Sequence, residues 1–246
     1  MITRFFEEFI CFVTQHDHAR ISLDIFNCFN ENLKQKTNNL DALKYSIRNH
    51  DSGWIEFDNY PKVSNDNKVY SFQDLNQELQ NELWFKSINS SINPYSSLLI
   101  YEHFKYLSLN SSRENSFNDD FINKSESLIK KLLPYDLDEI RETDEFKFEL
   151  SCLQICDLIS LVICREKELG GKKPSLFLDN SNIIDYKLKK IDKSVYKVSS
   201  ELFSKKENLF EIPYKQIELD LVMEPKKLKK KYIESELKFR KIYFIT

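Results

Sequence analysis

The stretch Phe146-Lys-Phe-Glu-Leu-Ser-Cys-Leu-Gln-Ile-Cys-Asp157-Leu-Ile-Ser-Leu-Val-Ile-Cys164 decides what kind of fold this chain builds. Leu150, Leu153, Asp157, Ser160, Leu161 and Cys164 recur at three- and four-residue steps, so they share one face of a helix. That face is apolar except for one carboxylate. Burying an isolated carboxylate is costly unless a partner compensates it, so Asp157 predicts polar or cationic neighbours inside the core. The helix reads as running from about Leu137 to Leu169, after Pro134 and before the stop Gly170-Gly171.

Working outward, other segments carry the same period. Ile21, Leu23, Ile25, Phe26, Phe29 and Leu33 predict a helix from about Ala19 to Lys34, with His18 on or just before its first turn. Asp41 to Asn49 predicts a second, capped by Asn39 or Asp41, with Leu40, Leu43 and Ile47 inward and His50-Asp51 on or past its last turn; Gly53 supplies the turn that ends it. Trp54 to Ser71, holding Asp58, Pro61, Asn65 and Asn67, reads as a loop, and Phe72 to Ile88 resumes a helix. Pro94 opens another, in which Leu99, His103, Tyr106 and Leu107 share an inward face, and Phe117 to Leu133 gives one more.

Past Lys172 the pattern changes to short alternating runs: Leu176-Phe177-Leu178, Tyr186 to Leu188, Val195 to Val198, Leu209 to Ile212 and Tyr243 to Ile245. These predict strands. The expectation is therefore a mainly α protein, α+β overall: residues 1–172 form a helical bundle and residues 173–246 a small C-terminal antiparallel β layer packed on it.

Composition narrows the chemistry. A chain of 246 residues with 41% hydrophobic and 13% aromatic residues can fill a core. Only three glycines are present, Gly53, Gly170 and Gly171, where average usage would give roughly 17. No phosphate-cradling Gly-rich loop can be built from them, so any phosphate chemistry must rest on side chains and a metal. The five cysteines, an odd number with three in one helical stretch, read as reduced and buried. The start, Met1 to Ile10, breaks its apolar run with acidic residues, and no segment approaches a membrane span; the chain reads as cytoplasmic, with no membrane partner. A net charge of -3 gives no general attraction to polyanions, and Lys226-Lys227-Leu228-Lys229-Lys230-Lys231 reads as a solvated edge rather than a nucleic-acid contact.

All four histidines lie in three short stretches: Gln15-His16-Asp17-His18-Ala19, Asn49-His50-Asp51-Ser52-Gly53-Trp54 and Glu102-His103-Phe104. Together with Asp157 they put imidazoles and carboxylates on separate helices, as a divalent-metal site in a helical core requires. His16 and His18 face nearly opposite sides of a helix, and spacing alone leaves open which is the ligand.

These residues resemble the HD superfamily of metal-dependent phosphohydrolases: a His on one helix, a His-Asp pair ending the next, and a distant helical Asp. The matching residues are His18, His50-Asp51 and Asp157. Gln15 to Arg20, His50-Asp51-Ser52-Gly53-Trp54 with Asp58 and Pro61, His103, and Asp157-Leu158-Ile159-Ser160-Leu161 resemble more narrowly a bacterial family of unknown function placed in that superfamily. The likeness covers the chain to about Lys172. It implies an HD-domain-like bundle in which His18, His50, Asp51 and Asp157 hold one or two divalent ions, of Mn, Fe, Zn, Ni or Mg.

The activity implied is hydrolysis of a phosphate ester or anhydride of a small phosphorylated molecule or nucleotide, as a phosphatase or phosphodiesterase. His103, Asp51 and Asp58 are the expected catalytic or ligand-orienting groups. His103 could protonate a leaving oxygen, contact phosphate, or join Asp51 at a second ion. Arg20, Arg48 and Arg165, three of only seven arginines, together with Trp54 and His16, are the expected substrate contacts. Two alternatives on the same scaffold are a diiron oxygenase, for which the chain has one histidine too few, and a non-catalytic metal-binding regulator.

Overall fold

A computed structural model describes residues 1–64, 68–110, 115–167, 175–199, 201–219 and 224–246, with backbone only for 115–117. The chain opens with a hairpin, β1 (Ile2–Phe5) and β2 (Phe9–Val13). Helices α1 (Gln15–Asn27), α2 (Glu31–Lys34) and α3 (Leu40–Asn49) follow, then short 3-10 turns at Ser52–Trp54, Phe57–Asn59 and Phe72–Asp74. Next come α4 (Gln77–Asn89), α5 (Pro94–Leu109), α6 (Asn115–Leu132), α7 (Leu137–Glu142) and α8 (Asp144–Arg165). The remainder is β3 (Ser175–Asp179), β4 (Asn182–Asp185), β5 (Leu188–Lys190), β6 (Val195–Val198), β7 (Glu207–Glu218), α9 (Pro225–Glu234) and β8 (Lys238–Ile245).

The small C-terminal antiparallel layer expected from the sequence is corrected by this topology. The main sheet has six strands in the order β1-β2-β7-β8-β6-β5, and it is mixed, because β6 runs parallel to β8 while the other pairs are antiparallel. Only β3 and β4 stand apart, as a two-stranded ribbon. The sheet thus draws its first two strands from the start of the chain, Ile10 opposite Ile217 and Phe12 opposite Lys215. The hairpin hides from pattern reading for a physical reason: its turn, Phe6-Glu7-Glu8, has no Gly, Pro, Asn or Asp, the residues that mark turns through their backbone preferences. Strands β7 and β8 are also longer than their apolar runs, since their outer faces are polar.

Helix α8 lies between the other helices and the sheet. It is buried along most of its length, so its sequence is apolar on more than one face, as expected of a helix packed on several sides. Ile155, Ile159 and Ile163 belong to a core shared with Ile21 and Ile25 of α1, Leu43 and Ile47 of α3, and Phe210, Ile212, Ile242 and Phe244 of the sheet. A second core joins Trp84, Leu99, Phe104 and Ile129 to Phe146.

The long helix expected from Leu137 to Leu169 is two helices. Asp136 caps α7 by accepting from the Asp138 backbone N–H, and Thr143 caps α8 by accepting from that of Phe146. These side chains satisfy N–H groups that have no partner inside the helix, which favours a fresh start at each cap. At its far end α8 stops at Glu166, whose φ of 54° is left-handed, and whose carboxylate pairs with Arg4 of β1 at 2.7 Å and with Arg240 of β8. The stop expected at Gly170-Gly171 lies outside the described residues. Tyr106, expected inward, is 53% exposed. Among the described residues, no helix is long and apolar enough to cross a membrane.

Gly53 does not end α3, which closes at His50; it lies inside the 3-10 turn that follows. Its N–H donates to Ser87 Oγ at 2.9 Å, and a Cβ built on it would overlap the Leu83 carbonyl oxygen and stand 2.7 Å from the Ser87 nitrogen. The 3-10 turn after Asp51 is therefore pressed directly on the backbone of α4. Replacing Gly53 with Ala forces these backbones apart and is expected to destabilise the protein by about 1–3 kcal/mol, the usual range for overpacking. Chemical denaturation of Gly53→Ala checks this; unchanged stability would show that the contact is loose.

Candidate metal centre

Helix α1 begins one turn earlier than expected. Thr14 is its cap, with Oγ1 accepting from the Asp17 N–H at 3.0 Å and donating to the Asp17 carboxylate at 2.7 Å. This settles the geometry of the paired histidines: His18 turns inward and is 1% exposed, whereas His16 is half-buried on another side. His50 is the residue that closes α3, Asp51 follows it and caps the next 3-10 turn, His103 sits in α5, and Asp157 sits in α8. All five inward residues are buried.

They converge on one point. Asp157 Oδ1 is 2.8 Å from His18 Nε2 and 3.5 Å from His50 Nε2, and Asp157 Oδ2 is 3.5 Å from His103 Nε2. Asp51 Oδ2 lies 3.6 Å from His50 Nε2 and 4.0 Å from His18 Nε2. The ligand atoms of His18, His50 and Asp157 all fall within 4.8 Å of one another. Atoms sharing an ion at about 2.0–2.2 Å stand roughly 3–3.5 Å apart, so the cluster needs little adjustment to close on one.

The surrounding hydrogen bonds orient the rings. His50 Nδ1 is 2.8 Å from the Ile47 carbonyl oxygen, which can only accept, so Nδ1 carries the proton and Nε2 faces the carboxylates. His18 Nδ1 meets Ser160 Oγ at 2.5 Å, and Ser160 Oγ also reaches the Asp157 carbonyl and Ser22 Oγ, at 3.1 and 2.7 Å. Such outer partners commonly fix the tautomer of metal-binding histidines. Among the described residues, His50 Nε2 and both ring nitrogens of His103 are buried with no hydrogen-bond partner. Buried polar atoms of this kind call for a partner, and an ion between the rings and the carboxylates would supply one.

The electrostatics point the same way. Burial by itself opposes a charge on His50, but Asp51 and Asp157 outweigh it and raise the pKa to about 9. Burial raises Asp51 to about 6 against the pull of His50 and His18. Burial also opposes ionisation of Asp157, yet His18, His50 and His103 together hold its carboxyl well below the usual range. Burial lowers His103 to about 4, with Asp157 too weak to reverse it. Two carboxylates thus share a closed site where a proton on His50 supplies positive charge in the absence of an ion.

A cavity of about 50 Å³ opens beside the cluster, walled by Trp54, Phe72, Trp84, Phe104, Leu107 and Leu161, with the amides of Gln15 and Gln80. Of the expected substrate contacts, only Trp54 lines it. His16 is depressed by burial and then by Arg48, with Arg20 adding to it, so these three lie near one another outside the cavity. Arg20 also approaches Asp17 at 3.9 Å, and Arg165 donates to Gln73 at 2.8 Å. Asp58 lies apart from the cavity: it accepts the Gln15 N–H at 2.7 Å and pairs with the Met1 amino group at 2.7 Å, anchoring the start of α1. Sequence reasoning assigns no role to Gln15, Gln80, Trp84 or Ser160, although it places Ser160 on the face of Asp157. Ser160 stands one helical turn after Asp157, and that spacing is the signal that could have found it.

Fold and site together define an α+β protein whose helical layer carries a buried imidazole and carboxylate cluster that could hold a divalent ion. The chain belongs to the family described as Protein of unknown function (DUF3891), whose model matches residues 1–219. No curated protein and no solved structure matches it.

A pH experiment on metal-free protein tests the electrostatics. A histidine raised from 6.5 to about 9 binds its proton more tightly when folded, so its contribution is complete below pH 6.5 and lost as pH rises through 9. The depressed Asp157 contributes above its unfolded pKa near 3.8 and loses that contribution as pH falls through its lower folded value. Melting temperature should therefore fall from pH 6.5 to 9, and His50→Gln should flatten that slope. A slope that survives the substitution would assign it to another group.

Proposed function

We propose that this protein is a metal-dependent phosphohydrolase in which His18, His50, Asp51 and Asp157 hold a divalent ion and His103 works beside it. The observation that carries the reading is the set of buried, unpartnered imidazole nitrogens of His50 and His103 facing two carboxylates. The resemblance of His18, His50-Asp51 and Asp157 to the HD pattern supports the same chemistry. Neutral imidazoles with carboxylates suit Mn, Fe, Zn, Ni or Mg, and one or two such ions fit the donor count. When bound, a divalent ion acidifies water and neutralises a phosphoryl oxygen.

The chain's own groups do the rest. His103, held neutral by burial, is equipped to ligate an ion or to contact phosphate rather than to protonate a leaving group. A cavity of about 50 Å³ holds an ion and a few waters but not a whole ligand, which needs about 300 Å³ or more. Only the reacting phosphoryl end enters, while Arg20 and Arg48 lie outside to attract the anion, with His16 beside them as a neutral imidazole.

A second reading, a diiron oxygenase, is favoured by the same cavity, because apart from the cluster, Gln15 and Gln80 its walls are aromatic or aliphatic, and no Lys or Arg lines it among the described residues. Two measurements separate them: metal content of protein purified without chelator, and turnover of phosphomonoester and phosphodiester panels with the ion restored. Hydrolysis independent of oxygen, lost at least about a hundredfold in His50→Ala and Asp157→Asn together with the metal, is the expected result. Oxygen uptake by iron-loaded protein without hydrolysis would favour the oxygenase. Protein that takes up no ion would reject both.

A further inference from the structure

We propose that Glu149 is a positioning residue for the metal centre, tying the starts of α3 and α5 to α8 so that His50, His103 and Asp157 meet further along. The inference rests on the metal reading above. Glu149 is 0% exposed in the middle of the core, and no Lys or Arg pairs with it among the described residues. It accepts instead from two hydroxyls, Thr37 Oγ1 and Tyr95 Oη, the latter at 2.5 Å. Thr37 Oγ1 in turn accepts the backbone N–H of Asn39 at 2.9 Å, the residue that precedes α3. Ser96 of α5 adds a direct tie by donating to the Ala42 carbonyl of α3 at 3.0 Å.

The spacing gives this node its meaning. Asp157 stands eight residues beyond Glu149, and His103 eight residues beyond Tyr95. His50 stands eleven residues beyond Asn39, at the close of α3. Tyr95 meets Glu149, and His103 approaches Asp157, so α5 and α8 run in the same direction between the two levels. At 1.5 Å per residue the levels are about 12 Å apart on both helices. The carboxylate node at one level and the cluster at the other therefore share one register. Slipping α5 along α8 by a single turn, about 5.4 Å, would break both together.

Stability alone gives little reason for a carboxylate here. An apolar side chain of similar volume avoids the desolvation cost, whereas a buried polar group with directional partners selects one register of packed elements. The three helices that Glu149 joins are the three that carry His50, His103 and Asp157.

The test uses the full chain and three variants: Glu149→Leu, Tyr95→Phe, and Ile242→Val in the sheet core as a stability control. Zn2+ affinity is measured by chelator competition, melting temperature by calorimetry, and the ring resonances of the four histidines by NMR in metal-free protein. Glu149→Leu and Tyr95→Phe are expected to weaken Zn2+ binding about tenfold, no more than the loss of a group bonded directly to a ligand costs, and to move the His50 and His103 resonances while His16 stays. Ile242→Val should lower the melting temperature and move neither. Folded variants that bind Zn2+ within twofold of wild type, with unmoved resonances, would overturn the proposal. If Glu149→Leu does not fold, Tyr95→Phe, which lacks a single oxygen, decides alone. Wild-type protein that binds no Zn2+ overturns the metal reading, and the ring resonances then decide the positioning role separately.

Discussion

The carboxylate of Asp157, inside the most buried helix, is the constraint from which the rest of this structure follows. Asp157 cannot lose its water without compensation, since an ion moved into a protein interior costs several kcal/mol even after relaxation. Helix α8 offers none within its own turns, where the neighbours are Ile155, Cys156, Ile159 and Ile163. Compensation comes from three imidazoles on α1, the end of α3 and α5, each delivered by a helix that must pack on α8 at a set angle and height. The helical layer is arranged so that these three points coincide.

Much of this is legible in the amino-acid sequence itself. The apolar stripe around Asp157, Pro94 opening α5 and the His-Asp pair at the end of α3 are local signals, and helix periodicity is the strongest pattern a sequence carries. Which of His16 and His18 turns inward is not legible from spacing, and the cap at Thr14 decides it by setting where α1 begins. Other features that escape are decided by distant partners. The first two strands have an unmarked turn, and their place in the sheet depends on β7, some two hundred residues away. The break at Thr143 carries a capping residue, but the continuous apolar period on either side masks it. Asp58 reads as a second orienting carboxylate beside His50-Asp51, yet its partners are the start of α1 and the Met1 amino group, contacts no spacing reveals.

The site also shows how close contact substitutes for charge. The cavity wall beside the cluster is aromatic, and Trp84 stacks on Phe104 with ring centroids 5.0 Å apart while His103 tilts against Phe104 at 5.2 Å. Low-dielectric walls strengthen each interaction between the rings and the carboxylates, which is why neighbouring groups titrate in opposite directions, His50 upward and His103 downward. Without an ion, placement alone thus favours the charged form of one imidazole and the neutral form of the other.

The N-terminal hairpin has a consequence for how the chain is made. Its partner strand, β7, leaves the ribosome only after about 200 further residues, a delay of roughly 10 to 40 s at 5–20 residues per second. During that time Phe9-Ile10-Cys11-Phe12-Val13, an apolar strand that ends buried on four of its five residues, has β1 on one edge and nothing on the other. The nascent protein therefore carries a sticky, strand-forming segment until β7 has been made. Glu7 and Glu8, beside it at the hairpin tip, place two negative charges where they disfavour pairing with another nascent chain.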